Sequence, residues 1–159
     1  MIDQTIAAPV RKSVTVQTGV EHAFQVFTEG FHTWWPKSHH TGKSPMKTAM
    51  VEGKVGGRCY TEGEDGSKCY WGTVVAWDPP TRVVFSWQLT AQWQFESDLT
   101  RASEVEITFT PIEGGATRVN LEHRHLERHG ADGAAIRKNI DSPGGWGSLL
   151  DLYAVEANR

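Results

Sequence analysis

Trp71-Gly72-Thr73-Val74-Val75-Ala76-Trp77-Asp78-Pro79-Pro80-Thr81-Arg82-Val83-Val84-Phe85-Ser86-Trp87 is the stretch that decides the fold. Two β-branched and aromatic runs flank an Asp-Pro-Pro corner, the composition of two strands joined by a turn. Proline fixes φ and has no N–H to donate, so consecutive prolines cannot sit inside a central ladder, and the preceding Asp suits an exposed corner. The segment predicts an antiparallel hairpin with aromatic residues at both ends.

Outward from this hairpin, residues 48 to 125 read as strands and turns. The expected strands are 49–52, 58–62, 68–77, 82–89, 103–110 and 117–125, separated by Gly56-Gly57, Asp65-Gly66, Pro79-Pro80 and Gly114-Gly115. That order predicts an antiparallel meander. Val105, Ile107 and Phe109 alternate with Glu104, Glu106 and Thr108, and Val119 and Leu121 with Arg118, Asn120 and Glu122, so one face is buried and the other wet.

The two ends of the chain read differently. Residues 10–17 alternate as a strand; Thr18 with Glu21 forms a capping-box pattern, and Val20, Ala23, Phe24 and Phe27 follow at helical spacing. Phe31, Trp34 and Trp35, closed by Pro36, suggest a second short helix or turn. Near the other end, Ser142 is placed to cap a helix with Pro143 in its first position, and Trp146, Leu149, Leu150, Tyr153 and Ala157 form an apolar stripe. This helix is expected to lie on the sheet, within one domain spanning residues 1–159.

Composition narrows the function. A chain of 159 residues buries roughly two-thirds of its unfolded surface without disulfides or a metal. A net charge of −3, with no Lys/Arg cluster, excludes a nucleic-acid footprint. No run approaches the ~20 apolar residues of a membrane span, and Met1 to Val10 lacks the basic start of a signal peptide, so a cytoplasmic location without membrane contact is expected. Cys59 and Cys69 flank the Gly63–Ser67 turn. A hairpin symmetric about residue 64 would set them opposite each other and another register would offset them; reduced packing cysteines are expected.

The histidines are the titratable groups to weigh. Continuing Thr117, Val119 and Leu121 by twos turns His123 and His125 inward, where an imidazole can bond a ligand or move a proton. The competing reading makes His123 a satisfied core residue and puts His125 past the strand end. His39 and His40, in a loop with Thr41 and Lys43, read as surface residues. No His-x-x-x-His on a predicted helix, CxxC, Gly-x-Ser-x-Gly or phosphate loop is present, so neither a metal nor another cofactor is expected.

Several stretches carry a family resemblance. They are Val20-Glu21-His22-Ala23-Phe24, Trp34-Trp35, Gly56-Gly57-Arg58, the Gly72–Trp87 hairpin with its early glycine and Phe-x-Trp end, Val105–Pro111 with Gly114–Val119, and Gly145-Trp146 before Leu149-Leu150. Together they resemble the activator-of-heat-shock-protein-90-ATPase homology (AHSA-like) domains of the START-related, helix-grip (SRPBCC) superfamily. The resemblance implies an α+β helix-grip fold: a curved antiparallel β-sheet wrapped around a long C-terminal helix, with two short helices after the first strand. Gln92-Trp93-Gln94-Phe95-Glu96 departs from simpler members and adds an aromatic pair at the expected cavity mouth.

A sheet that wraps a helix without filling the space between them leaves a cavity, and such pockets are mostly apolar. The expected role is binding a small hydrophobic or aromatic ligand, with Trp35, Tyr60, Trp71, Trp87, Trp93, Phe95, His123 and Trp146 as candidate contacts. Core packing is the competing reading for each of these side chains. A cyclase- or hydrolase-like enzyme using His123 as acid/base is one alternative; a chaperone-associated interaction domain, implied by the family name, is another. A homodimer is compatible with each.

Overall fold

Among the described residues, seven strands make one antiparallel sheet in the order β1-β7-β6-β5-β4-β3-β2. The computed structural model describes residues 8–159; the leading residues used in the signal-peptide reading lie largely outside that range. The strands are β1 (Val10–Val16), β2 (Met46–Val51), β3 (Arg58–Gly63), β4 (Lys68–Asp78), β5 (Arg82–Trp87), β6 (Ser103–Pro111) and β7 (Thr117–Arg124). From β2 to β7 the chain forms the expected meander, and β1 closes on β7 through Val10 opposite His123 and Val16 opposite Thr117. The decisive hairpin pairs Val74 with Phe85 and Asp78 with Arg82 around the Pro79-Pro80 corner.

Register shifts at Cys59/Tyr60 and Val74/Ala76 interrupt the ladders on both sides of β4. Such bulges bend and twist a strand, as a sheet wrapping a helix requires. Gly72 permits a close approach: a Cβ there would lie 2.3 Å from the Ser86 carbonyl oxygen. The register also decides the cysteine question. Thr61 faces Cys69 and Cys59 faces Gly72, so the thiols are offset, and both are free.

Four α-helices cover the inner face: α1 (Val20–Thr28), α2 (Phe31–Trp34), α3 (Gly133–Ile140) and α4 (Trp146–Ala157). Phe24 and Phe27 of α1 meet Phe109 edge-on, and Phe27 also meets Tyr153 of α4. The Tyr153 hydroxyl donates to the Ala23 carbonyl at 2.7 Å, and burial raises its pKa. Val105, Ile107, Phe109, Val119, Leu121 and Leu150 are all at most 2% exposed, so the predicted alternation does build the core. On the outer face Glu106 pairs with Arg82 at 2.6 Å and with Arg124 at 2.9 Å.

Two predicted caps are not made. Gly19 is the N-cap of α1, with no side-chain cap; Thr18 lies one position earlier, and its carbonyl accepts from the Thr117 hydroxyl at 2.8 Å. Helix α4 starts at Trp146 with Gly145 as its N-cap; the Ser142 hydroxyl instead donates to the Asn139 carbonyl at the end of α3. A Cβ on Gly145 would lie 2.1 Å from the Ile140 carbonyl oxygen, so glycine is what lets α3 turn into α4. Sequence reasoning assigned no element to residues 126–141. They form a 3-10 segment, Leu126–Asp132, followed by α3, which buries Ile136 and Ile140.

Candidate functional site

Between sheet and helices lies a cavity of about 400 Å³. Four indoles define it: Trp35 after α2, Trp71 on β4, Trp87 at the end of β5 and Trp146 at the start of α4. They form a closed ring of contacts. Trp35 stacks on Trp71 at 5.8 Å and 5°, Trp71 meets Trp87 at 5.8 Å, Trp87 meets Trp146 at 5.8 Å, and Trp146 meets Trp35 at 6.3 Å. Phe31 backs the stacked pair at 4.8 Å from Trp35.

Polar groups border this aromatic ring. The loop after α2 brings Ser38, His39, His40 and Thr41 to the cavity; β3 and β4 bring Thr61 and Cys69; α3 and the following turn bring Asn139 and Gly144. No Asp, Glu, Lys or Arg is among the lining residues. A ligand with a permanent charge would therefore lose its hydration without a carboxylate, ammonium or guanidinium to pair with, which disfavours one. Trp71 carries an indole N–H that is buried without a hydrogen-bond partner. Trp93 stands at the mouth, 46% exposed, with φ +61°, a conformation costly for a bulky side chain.

His123 lies behind the wall rather than in it. The Trp146 indole N–H donates to its Nδ1 at 3.0 Å, so the neutral ring carries its proton on Nε2 and donates to Ser103 Oγ at 2.7 Å. Ser103 Oγ then donates to His129 Nε2 at 2.7 Å, and the Ser103 backbone N–H donates to the same nitrogen at 3.3 Å. The chain of donors runs one way, from Trp146 to His129. Complete burial, with a smaller contribution from His129, pushes the His123 pKa down to about 3. Burial lowers that of His129 too, against the opposing charge of Asp132. His123 is held neutral with both nitrogens engaged, so it orients the Trp146 indole and has no free lone pair or proton for a ligand.

The other sequence candidates divide between two faces. Trp35, Trp71, Trp87, Trp93 and Trp146 line the cavity. Tyr60 does not: Cys59 and Thr61 on either side of it are buried, and it turns to the outer face beside Tyr70 at 5.6 Å and the Lys68 ammonium at 5.0 Å. Phe95 also points away, 6.4 Å from Tyr70 and 5.6 Å from the Arg58 guanidinium. His125 follows the last residue of β7 with φ +61°, and its ring reaches Glu127 at 3.5 Å. His39 and His40, expected at the surface, are half-buried and also line the cavity. The signal that could have found them is their position four and five residues after Trp35. Among the described residues no group of three or more His, Cys, Asp or Glu is arranged to hold a metal ion, and no helix is long and apolar enough to cross a membrane.

Known proteins share this fold. Residues 17–154 match the family model described as activator of Hsp90 ATPase homolog 1-like protein. The chain is 42% identical to the structure of Txn09, an anthrahydroquino-γ-pyrone synthase, covering 92% of this chain and 95% of that one with a TM-score of 0.65. CalC, a self-sacrificing resistance protein from Micromonospora echinospora, is 29% identical over 96% of this chain and 95% of that one, with a TM-score of 0.67. An HSP90 activator from Plasmodium falciparum, at 19% identity, 95% and 97% coverage and a TM-score of 0.59, shares the fold alone. No curated protein matches the chain. Fold, family model and relatives agree: the chain belongs to the activator-of-Hsp90-ATPase-homolog-1-like family, within the START-related helix-grip superfamily.

Proposed function

We propose that the cavity binds a flat, uncharged polycyclic aromatic molecule of the quinone or hydroquinone type. The observation that carries this reading is the continuous wall of four mutually contacting indoles on a cavity lined by no Asp, Glu, Lys or Arg. Planar rings gain offset-stacked and edge contacts from indoles beyond their area burial. A volume of about 400 Å³ falls in the lower part of the range of roughly 300–1,000 Å³ for ligand pockets, which suits a few fused rings better than a long-chain lipid. The 42% identity to a protein named as an anthrahydroquino-γ-pyrone synthase supports the same chemical class.

A second reading, ring-closing catalysis on such a ligand, is favoured by that relative's being a synthase. The chaperone-associated alternative rests on the family description alone.

Titration with 2-hydroxyanthraquinone, followed by tryptophan fluorescence, tests the binding reading. The expected result is saturable quenching that Trp71→Ala weakens at least tenfold, with no comparable response to a long-chain fatty acid. Absence of saturable quenching by the quinone, or equal response to the fatty acid, would overturn it.

A further inference from the structure

His39 is held in the cavity wall by three ties. Its backbone carbonyl accepts from the Trp35 indole N–H at 2.8 Å, its Nε2 lies 3.1 Å from the Gly144 carbonyl oxygen, and its Nδ1 lies 3.0 Å from Ser38 Oγ. A carbonyl can only accept, so the proton of the neutral ring resides on Nε2. Nδ1 is then a lone pair, and the hydroxyl of Ser38 is its donor. Both neighbouring groups, Ser38 and Gly144, also line the cavity, and the Trp35 ring stands edge-on to the imidazole at 5.9 Å. A base oriented by a carbonyl, with a hydroxyl already at hydrogen-bond distance from its lone pair, has the geometry required for general acid–base work.

The rest of the cavity offers little competition. Its other titratable lining groups are His40 and Cys69. Asp141, three residues before Gly144, is engaged by Lys12 at 2.7 Å and Arg137 at 4.0 Å. His123, the base suggested by strand parity, is closed off behind Trp146.

We infer that His39, through Nδ1, takes the proton of a phenolic hydroxyl on the bound polycyclic ligand, with Gly144 fixing the ring and Ser38 Oγ marking the hydrogen-bond position that this hydroxyl would take. In this step the ligand O–H bond breaks, its electron pair stays on oxygen, and an N–H bond forms at Nδ1. The imidazolium keeps donating to Gly144, and the reverse transfer returns the proton. The step needs no oxidant or co-reactant. It would hold a ligand as its phenolate, the nucleophilic form for addition to a carbonyl-activated carbon. The inference rests on the proposed binding of a polycyclic aromatic.

The test uses 2-hydroxyanthraquinone, whose phenol and phenolate forms differ in visible absorption, with the whole chain, His39→Gln and His125→Gln. The Gln amide can still donate to Gly144 and accept from Ser38, but it cannot take a proton. His125→Gln is the control on an exposed histidine outside the cavity. Tryptophan quenching reports binding, and the visible spectrum across pH reports ionisation of the bound dye. The expected result is retained binding in all three proteins, with the bound dye ionising about one pH unit higher in His39→Gln than in wild type or His125→Gln, a tenfold difference in equilibrium. An identical midpoint in wild type and His39→Gln overturns the role of His39 while leaving the binding reading intact. No quenching in wild type overturns both. Should His39→Gln fail to fold, His39→Asn gives the same comparison, and the absence of any visible phenolate band in the wild-type complex at a pH where the free dye is half ionised also refutes the inference.

Discussion

Acidification from pH 7.5 to pH 5 should destabilise this protein through His123. The ring is 0% exposed, and burial followed by repulsion from His129 holds its pKa near 3, against 6.5 for an ordinary histidine. The unfolded chain therefore binds a proton below about pH 6.5, while the folded chain does not until about pH 3. The sign follows: the favourable term is complete above pH 6.5 and is lost as pH falls through the window toward 3. Each pH unit inside the window costs about 1.4 kcal/mol, so pH 5 removes about 2 kcal/mol relative to pH 7.5. His129 acts in the same direction. Glu106 and Asp141, whose pKa values are lowered from already acidic values, titrate below this range. Urea unfolding followed by tryptophan fluorescence at pH 7.5, 6 and 5 measures the loss. His123→Gln, which has no proton to gain, should be less stable at pH 7.5 but should shed about 2 kcal/mol of the wild-type pH dependence. Equal pH dependence in wild type and His123→Gln would refute the claim that a buried neutral imidazole orients Trp146.

Three other perturbations bear on the fold and the cavity. Gly72→Ala drives a methyl group toward the Ser86 carbonyl oxygen and should cost about 1–3 kcal/mol in urea unfolding; an unchanged midpoint would mean that β4 and β5 do not approach as described. A maleimide should label Cys69, which borders the cavity, once per chain and leave the buried Cys59, whose pKa burial raises, unmodified; peptide mass mapping reads the site, and bound 2-hydroxyanthraquinone should slow the labelling. Trp93→Gly relieves a left-handed backbone worth about 1–2 kcal/mol, so it should not lower the melting temperature, while faster dye release in stopped-flow displacement would report loss of the mouth residue.

The fold was legible in the sequence because its strongest signals are local. Alternation along β6 and β7 and the Asp-Pro-Pro corner specify strands whose partners lie next in the chain, and the meander follows. The caps were less legible: Thr18–Glu21 and Ser142–Pro143 have suitable chemistry, but α1 starts with Gly19 as its N-cap, and the tight α3–α4 turn puts Gly145 at the start of α4. Parity put His123 inward, yet parity cannot tell a cavity wall from the layer behind it, and Trp146 is interposed. Tyr60 is a candidate contact and Phe95 one of the aromatic pair expected at the mouth, but the pleat sends Tyr60 to the opposite face from Thr61 and Cys69, and Phe95 sits beside Tyr70. The His39 site joins residues 105 positions apart, a contact for which no local pattern exists.

The central claim is that the indole wall lines a binding site for a flat aromatic molecule. The most direct measurement is a crystal structure of the protein with 2-hydroxyanthraquinone. The expected result is density for the three fused rings in the cavity, packed against Trp35, Trp71, Trp87 and Trp146. An empty or collapsed cavity, with the dye bound only on the outer face near Tyr60 and Phe95, would contradict it.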